Sequence, residues 1–243
     1  MENFQVALDG PAGSGKSSIS ELVAKKLGFV HIDTGAMYRA VTLEALRRGI
    51  DLADESQYTF MDDIEVVYIN DKTLLNQEDV SCEIRNLEVT RNVSLVSSLK
   101  IVRDKMVYFQ RLSAKNGYVL MDGRDIGTTV LPNADVKIFL TATPEERAKR
   151  RMKELQAKGI NESYETVLND IKVRDYKDSH REISPLRMAD DAILVDTTSM
   201  TIEEVCNTIV SIVCDGLRWK IRKCQWKNFL RKKENVNFMF MIQ

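Results

Sequence analysis

The chain is 243 residues long, which suits one α/β domain with a small inserted lobe. Hydrophobic residues make up 44% of it, enough for a sizeable core, and a formal net charge of -1 favours neither nucleic acid nor an anionic membrane as a partner. No apolar stretch approaches the ~18 residues of a membrane span, and the N-terminus carries no secretory signal. The four cysteines form no CxxC pair, so we expect reduced thiols and a cytoplasmic protein.

The N-terminal segments alternate between strand and helix patterns. Residues 4–8 form a short apolar run that predicts a buried strand, and residues 16–27 have helical periodicity and end at Gly28. Residues 29–33 predict a second strand, followed by a helix that ends at Gly49.

Residues 51–115 interrupt this alternation and predict an inserted α+β lobe. Within them, residues 64–85 contain two short strand patterns on either side of the turn at 70–72. We expect these two strands to pair antiparallel.

The alternation returns in the second half of the chain. Residues 118–123, 136–142 and 192–198 predict three more strands. Helix signals follow the last two: Thr143 can cap one helix, and the other is predicted to end at Gly216. Together these units predict an α/β fold with a five-stranded parallel sheet flanked by helices.

The turn after the first strand carries the clearest functional signal. It matches the pattern G-x-x-x-x-G-K-[ST] at every position, and its residues are Gly10, Pro11, Ala12, Gly13, Ser14, Gly15, Lys16 and Ser17. In such a loop the backbone N–H groups and the start of a helix hold nucleotide phosphates. The lysine reaches the β- and γ-phosphates, and the serine hydroxyl can ligate Mg²⁺.

Asp122 lies at the end of a predicted strand and has two possible roles. Its carboxylate can hold Mg²⁺ or the waters around it. An aspartate in this position can equally stabilise the turn that follows the strand. The residues alone leave both interpretations open.

Arginines outside the phosphate loop indicate where a second anionic group binds. Arg124 and Asp125 lie in "DGRDIG", a turn at the carboxyl end of a strand, which is the edge where parallel sheets bind ligands. Arg147, Arg150 and Arg151 have helical spacing and are predicted to share one face. Guanidinium groups bind phosphate with two parallel hydrogen bonds, so these residues favour a phosphoryl-transfer site.

Six motifs occur in a fixed order along the chain: "DGPAGSGKSS", "DTGAMYRA", "EDVSCEIR", "DGRDIGT", "VKIFLTATPEERAKRRMKEL" and "RDYKDSHREISPL". Together they resemble the bacterial-type cytidylate kinases, P-loop nucleoside monophosphate kinases that phosphorylate CMP and dCMP from ATP in pyrimidine metabolism. The resemblance covers about residues 2–215. It implies that residues 51–115 form the monophosphate-binding lobe and that residues 147–181 form a short lid.

The resemblance also implies roles for individual residues. The ATP loop would run from Gly10 to Ser18, and the lid arginines that close over ATP would be Arg147, Arg150 and Arg151. The substrate contacts would be Thr34, Arg103, Asp125 and Arg181 around cytosine, and Ser94, Arg174 and Asp178 at the sugar. Tyr38 would also bind the substrate. Arg39 and Arg124 would clamp the acceptor phosphate. ATP, Mg²⁺ and a monomeric enzyme acting on small nucleotides complete this expectation.

The sequence offers no obvious general base, and the chemistry explains why none is needed. The second pKa of a nucleoside monophosphate is near ~6, so the acceptor oxygen is already largely anionic at pH 7. Lys16, Mg²⁺ and the arginines would act by positioning and by neutralising charge. A closing lid would exclude water and prevent ATP hydrolysis.

The last segment, residues 216–243, lies outside the resemblance. It carries eight Lys or Arg residues against the single acid Glu234. A basic arm for nucleic acid or an anionic membrane is one interpretation. We favour a poorly ordered extension that catalysis does not need.

Other function classes are less consistent with these features. A GTPase would need a guanine-reading N-K-x-D segment, which is absent between residues 120 and 196. A kinase for UMP or another small acceptor stays a near alternative. A regulatory protein that binds ATP and ignores CMP is the other class, and the inserted lobe and the arginines speak against it.

Overall fold

The structure is a computed structural model that describes residues 3–69, 71–157 and 159–240, with side chains as far as residue 222. Its strands, in chain order, are β1 (Phe4–Asp9), β2 (Val30–Asp33), β3 (Val66–Ile69), β4 (Lys72–Leu75), β5 (Glu78–Asp79), β6 (Tyr118–Gly123), β7 (Val136–Thr141) and β8 (Ile193–Asp196). Its α-helices are α1 (Lys16–Leu27), α2 (Thr34–Arg47), α3 (Leu87–Val96), α4 (Lys100–Ser113), α5 (Pro144–Ala157), α6 (Tyr164–His180) and α7 (Ile202–Phe240).

The larger sheet has five parallel strands, as predicted, and their order is β2-β6-β1-β7-β8. Its register aligns the carboxyl ends of the strands. Asp33 is opposite Asp122, and Asp9 is opposite Gly123. One edge of the sheet therefore collects the residues of three sequence motifs.

Side chains alternate between the two faces of this sheet and bury both of them. In β1, Val6 and Leu8 pack in the cluster that includes α1 and α7, whereas Ala7 packs in the cluster of α2 and α4. Full burial of one Val or Leu side chain contributes about 1.5–3 kcal/mol. The two apolar layers therefore hold the functional edge of the sheet in a fixed geometry.

The segment between α2 and β6 forms the expected second unit. β3 and β4 pair antiparallel, with Val66 opposite Leu75, as predicted. β5 adds a third strand that the sequence did not indicate. Val66 and Leu75 belong to the same apolar cluster as Ile32 of the large sheet, so the hairpin packs against the core of that sheet. We keep 51–115 as its proposed extent.

α5 and α6 pack against each other around a small apolar cluster of their own. Ala148 and Leu155 on α5 meet Val167 and Ile171 on α6. This pair of helices spans most of residues 147–181, which stay the proposed lid. A separate small core is what a unit needs in order to move as one piece.

The prediction that the last helix ends at Gly216 is wrong, because α7 continues to Phe240. A Cβ atom on Gly216 would lie 2.3 Å from Cγ2 of Val136 in β7. The glycine therefore allows the helix to approach the sheet and does not end it. The two interpretations of the extension, a basic arm or a poorly ordered segment, stay predictions, and its side chains beyond residue 222 lie outside the described residues.

Among the described helices, none has the length and apolar character needed to cross a lipid bilayer.

Candidate active site

The predicted phosphate loop joins β1 to α1 at the functional edge of the sheet. Gly10 has a φ of 153°, and a Cβ atom there would lie 2.0 Å from the carbonyl oxygen of Leu140. Only glycine can adopt this close approach to β7. Gly13, Gly15 and Ser18 are exposed, so the mouth of the loop is open to a ligand.

Lys16 begins α1 and is only 5% exposed. Its Nζ donates to the carbonyl oxygen of Pro11 at 2.7 Å and lies 3.3 Å from the hydroxyl of Ser14. Burial, followed by the charge of Arg124, lowers the pKa of Lys16 well below its ordinary value. An ammonium group held only by its own loop can exchange these hydrogen bonds for those of phosphate oxygens.

Ser17, Asp122 and His31 form a hydrogen-bonded group beside the loop. The Ser17 hydroxyl donates to Oδ2 of Asp122 at 2.9 Å, and Nε2 of His31 lies 2.8 Å from Oδ1. Burial lowers the pKa of His31, but the hydrogen bond and the charge of Asp122 outweigh it and raise the pKa overall. This geometry favours the functional interpretation of Asp122 over a role in its turn alone.

A hydroxyl and one carboxylate fit a Mg²⁺ ion that arrives with nucleotide phosphates. Mg²⁺ in such enzymes takes one or two protein ligands, phosphate oxygens and water. Ser17 and Asp122 supply that partial set of hard oxygen ligands. The described residues contain no group of three or more acidic, histidine or cysteine side chains that would hold a metal ion by themselves.

Asp9, at the end of β1, holds the turn that carries the "DGRDIG" residues. Its buried carboxylate accepts the N–H groups of Ile126 at 2.8 Å and Gly127 at 2.7 Å. Burial raises the pKa of Asp9 to about 7, although both hydrogen bonds oppose the rise. The carboxylate thereby fixes the backbone that directly follows Arg124 and Asp125.

The side chains predicted around the base are buried, and Arg103, Asp125 and Arg181 form a charged network. Asp125 pairs with Nη2 of Arg103 and, at 3.2 Å, with Nη2 of Arg181. The Arg103 guanidinium lies 5.8 Å from the centre of the Tyr38 ring. Thr34 donates its hydroxyl proton to a backbone carbonyl of β6 at 2.7 Å, so its oxygen is free to accept. These side chains thus present both fixed donors and fixed acceptors.

Asp178 on α6 joins the lid, the inserted unit and the "DGRDIG" turn. It accepts from the hydroxyl of Ser94 on α3 at 3.1 Å and from Nε of Arg124 at 3.0 Å. Burial raises the pKa of Asp178, but the charges of Arg124 and Arg174 outweigh it and hold the pKa below its usual range. Three parts of the chain therefore meet at one carboxylate.

Lys16, Arg39, Arg124 and Arg174 form what we call the cation cluster. Burial, then the charge of Arg124, lowers the pKa of Arg174 to about 10. Burial, then the charge of Arg174, lowers the pKa of Arg39 to about 10. Nε of Arg174 is buried and has no hydrogen-bond partner within the described part of the chain. Positive charges held this close together bind an anion favourably.

The three arginines of the proposed lid lie on α5, and each makes different contacts. Arg147 is buried and donates to the carbonyl oxygens of Ala142 at 2.9 Å and Ala12 at 3.0 Å. It also forms a two-pronged ion pair with Asp175 of α6 at 2.6 and 3.0 Å. It therefore ties the phosphate loop to both lid helices.

Arg150 and Arg151 have partners of their own. Arg150 donates to the hydroxyl and carbonyl oxygens of Thr197 at 3.0 and 2.6 Å. Arg151 pairs with Glu154 at 3.0 Å, and its charge helps to lower the pKa of Arg39 and of Arg174. Arg151 is thus the lid arginine that faces the cation cluster.

Comparison with protein-family models gives a match over residues 6–215 to the family described as cytidylate kinase. The chain belongs to the cytidylate kinase family. It is 51% identical over 213 residues to a cytidylate kinase of Acholeplasma laidlawii, covering 88% of this chain and 96% of that protein. It is 52% identical over 218 residues to one of Leuconostoc mesenteroides, covering 88% and 97%. A cytidylate kinase of Fusobacterium nucleatum is 51% identical over 210 residues, covering 86% and 96%.

Membership of the cytidylate kinase family confirms the predicted family and enzyme class. The enzyme is an ATP-dependent nucleoside monophosphate kinase, so ATP is the phosphoryl donor and small nucleotides are the substrates. The matched region ends at residue 215, which leaves the basic extension outside it.

Two residues of this site, Asp9 and His31, were not predicted from the sequence. Asp9 could have been noticed as a carboxylate that ends an otherwise apolar strand. His31 gave no comparable signal, because a single histidine in a short strand is compatible with many roles. Both residues act through contacts that form only when the strands align.

Proposed function

We propose that the protein transfers the γ-phosphoryl group of ATP to CMP or dCMP and that the cation cluster holds the two reacting phosphates. The observation that carries this proposal is the cluster itself. After burial, the charges of Arg124 and Arg174 lower the pKa of Lys16, and the charge of Arg174 lowers the pKa of Arg39. The pKa of Arg174 is lowered by burial and then by the charge of Arg124, and its buried Nε has no hydrogen-bond partner among the described residues. Closely spaced cations of this kind can offset the repulsion between two phosphate groups that are brought into contact.

On the donor side, the loop from Gly10 to Ser18 wraps the triphosphate. Lys16 exchanges its contacts with Pro11 and Ser14 for oxygens of the β- and γ-phosphates. Ser17 and Asp122 would hold Mg²⁺, which supplies neutralisation of phosphate charge when bound. Arg147 keeps the loop fixed to the lid, while Arg150 and Arg151 accompany the closing lid.

On the acceptor side, Arg39 and Arg124 grip the phosphate of CMP. Its second pKa lies near ~6, so the attacking oxygen is already anionic and needs no base. Arg124 gives up its hydrogen bond to Asp178 in order to bind this phosphate. Arg39 likewise gives up its hydrogen bond to the hydroxyl of Thr90, to which it donates at 2.8 Å. Catalysis is then positioning together with charge stabilisation of a loose transition state.

The choice of base follows from the hydrogen-bonding groups of the side chains that we place around it. Thr34 offers an oxygen to the exocyclic amine of cytosine, whereas Arg103 and Arg181 offer N–H groups to ring acceptors. Uracil turns the ring nitrogen into a donor and the amine into a carbonyl, so Thr34 would face an acceptor and the guanidinium group at the ring nitrogen would face a donor. Leaving such groups unpaired can reject a substrate by about 10⁴-fold. Ser94, Arg174 and Asp178 contact the sugar.

We also propose that the lid at 147–181 and the lobe at 51–115 close over the substrates and exclude water. A monomer in the cytoplasm stays part of the proposal. Cys82, Cys206 and Cys214 are free thiols, in agreement with a reducing compartment.

A coupled assay of ADP formation with CMP, dCMP, UMP and AMP as acceptors tests this function. We expect CMP and dCMP to be phosphorylated, UMP to have a kcat/KM at least about 100-fold lower, and AMP to be inert. Lys16→Met is the control and should lose transfer to every acceptor. Preference for UMP or AMP, or tight ATP binding without transfer to any acceptor, would overturn the proposal.

A further inference from the structure

The carboxylate that we place at the Mg²⁺ site is held by His31, to which the family resemblance gave no role. His31 lies in β2, and the β2–β6 register places Asp33 opposite Asp122. Because alternate residues of a strand share one face, His31 is a diagonal neighbour of Asp122 on the same face of the sheet. The side chains of His31 and Asp122 are only 6% and 3% exposed.

The two oxygens of this carboxylate have different partners. Oδ1 of Asp122 lies 2.8 Å from Nε2 of His31, and Oδ2 accepts the Ser17 hydroxyl at 2.9 Å. A carboxylate oxygen can only accept, so the proton of the imidazole belongs on Nε2. The hydrogen bond from His31 therefore fixes the rotation of the carboxylate plane and turns Oδ2 toward Ser17.

The imidazole is itself held by the hairpin of the inserted unit. The ring of Tyr68 in β3 meets it edge to face, with centres 5.6 Å apart and planes at 79°. Nδ1 of His31 lies 3.8 Å from Oδ1 of Asp71, beyond hydrogen-bond distance, and has no hydrogen-bond partner in the described residues. The position of the ring thus depends on packing against Tyr68 and on one hydrogen bond, the one to Asp122.

We infer that His31 is a positioning residue that presents Oδ2 of Asp122 to the Mg²⁺ ion accompanying ATP. The inference rests on the proposed function and gives His31 no contact with a substrate. Partners that orient a metal ligand typically contribute about 10–100-fold to metal affinity. Loss of the Nε2–H donor should therefore weaken metal binding while the fold and the phosphate loop persist.

The test measures binding of Mn²⁺, a paramagnetic probe, by electron paramagnetic resonance in the full-length protein with a saturating non-hydrolysable ATP analogue. His31→Phe keeps a ring against Tyr68 but removes the donor, and we expect the Kd for Mn²⁺ to rise about 10-fold or more. His31→Gln returns an N–H near the position of Nε2 and should restore affinity to within about threefold of wild type.

His180→Phe is a matched control. His180 stacks on Tyr176 with ring centres 4.0 Å apart and is exposed on α6, so this change removes a histidine without touching Asp122. We expect wild-type Mn²⁺ affinity. Thermal unfolding of each variant, and binding of the analogue without metal, show whether any loss is confined to the metal ion.

Asp122→Asn separates the inference from the function on which it rests. If Asp122→Asn weakens Mn²⁺ binding and His31→Phe does not, the positioning role is overturned and the metal site stands. Equal losses in His31→Phe and His31→Gln would also overturn it, because the donor would then be irrelevant. If Asp122→Asn leaves Mn²⁺ binding unchanged, both the inference and the metal role of Asp122 fail, whereas the acceptor assay still decides the kinase activity.

Discussion

At the scale of single residues, Asp9 has an unusual position for a charged group. It lies at the end of a buried strand and accepts two backbone N–H groups from the turn that carries Arg124 and Asp125. Protonation would turn one carboxylate oxygen into a donor that faces an N–H group. The charged form therefore orders the substrate turn, while burial opposes that charge and raises the pKa to about 7.

This opposition predicts a pH-dependent contribution to stability. The folded chain keeps a proton on Asp9 that the unfolded chain loses near pH 4, so the stabilisation is complete below pH 4 and is lost as the pH rises to about 7. In Asp9→Asn this dependence of the free energy of unfolding on pH disappears. We expect the free energy of unfolding of wild type minus that of Asp9→Asn to fall by up to about 4 kcal/mol between pH 4 and 7, measured by urea unfolding.

Asp135→Asn serves as the control for that experiment. Asp135 also accepts a backbone N–H from β1, that of Gln5 at 2.9 Å, but at the other end of the strand. It should keep the wild-type slope. If the free energies of unfolding of wild type and Asp9→Asn change with pH in the same way, the burial of Asp9 does not make stability depend on pH.

The site residues that could be predicted are those whose functional groups follow one another along the chain. Lys16 and Ser17 belong to a loop whose spacing alone indicates phosphate binding, and Arg124 lies in a turn of special composition. His31 and Asp9 could not be predicted, because each acts on a residue about 90 or more positions away through strand pairing. Sequence periodicity predicts strands but not which strands become neighbours.

At the scale of elements, α7 is where sequence signals and packing disagree. A glycine after an apolar helical run usually marks the end of a helix. Here Gly216 lies within α7 because any side chain would collide with Val136 of β7. The helix signal depends on neighbours along the chain, whereas the glycine is required by a neighbour in space.

Gly216→Ala distinguishes these two explanations. Helix propensity alone would favour alanine by about 1 kcal/mol. The new Cβ would lie 2.3 Å from Cγ2 of Val136, and overpacking of this kind costs about 1–3 kcal/mol. We expect Gly216→Ala to lower the free energy of unfolding in the wild-type background, measured by urea unfolding.

In a Val136→Ala background the same change should raise stability, because the clashing methyl group is gone. This double-mutant comparison controls for the intrinsic effect of alanine on the helix. Stabilisation by Gly216→Ala in the wild-type background would contradict the packing role of Gly216.

At the scale of the whole molecule, the fold brings three separately built parts to one cationic site. The edge of the sheet supplies Lys16 and Arg124, α2 supplies Arg39, and the lid helix α6 supplies Arg174 and Asp178. The parallel sheet and the antiparallel hairpin could be predicted because their strand patterns are regular. The meeting of Ser94, Arg124 and Asp178 could not, since it depends on how the parts pack.

This arrangement explains how phosphoryl transfer can occur without a general base. Three of the four cations of the cluster have a hydrogen-bond partner within the protein: Pro11 for Lys16, Thr90 for Arg39 and Asp178 for Arg124. Phosphate oxygens carry more charge than the carbonyl and hydroxyl partners, so under the proposed function substrates would displace these partners favourably. Binding the two nucleotides would thereby assemble the charge that the transition state requires.

The most direct test of this central claim is the single-turnover rate of transfer from ATP to CMP in Arg124→Ala, with both substrates saturating. Saturation removes effects on binding, so the rate reports the loss of charge at the reacting groups. Arg218→Ala, which removes an exposed arginine paired with Asp215 on α7, is the control and should keep the wild-type rate. We predict a fall of about 10³-fold or more in Arg124→Ala. A rate within about threefold of wild type would contradict the account.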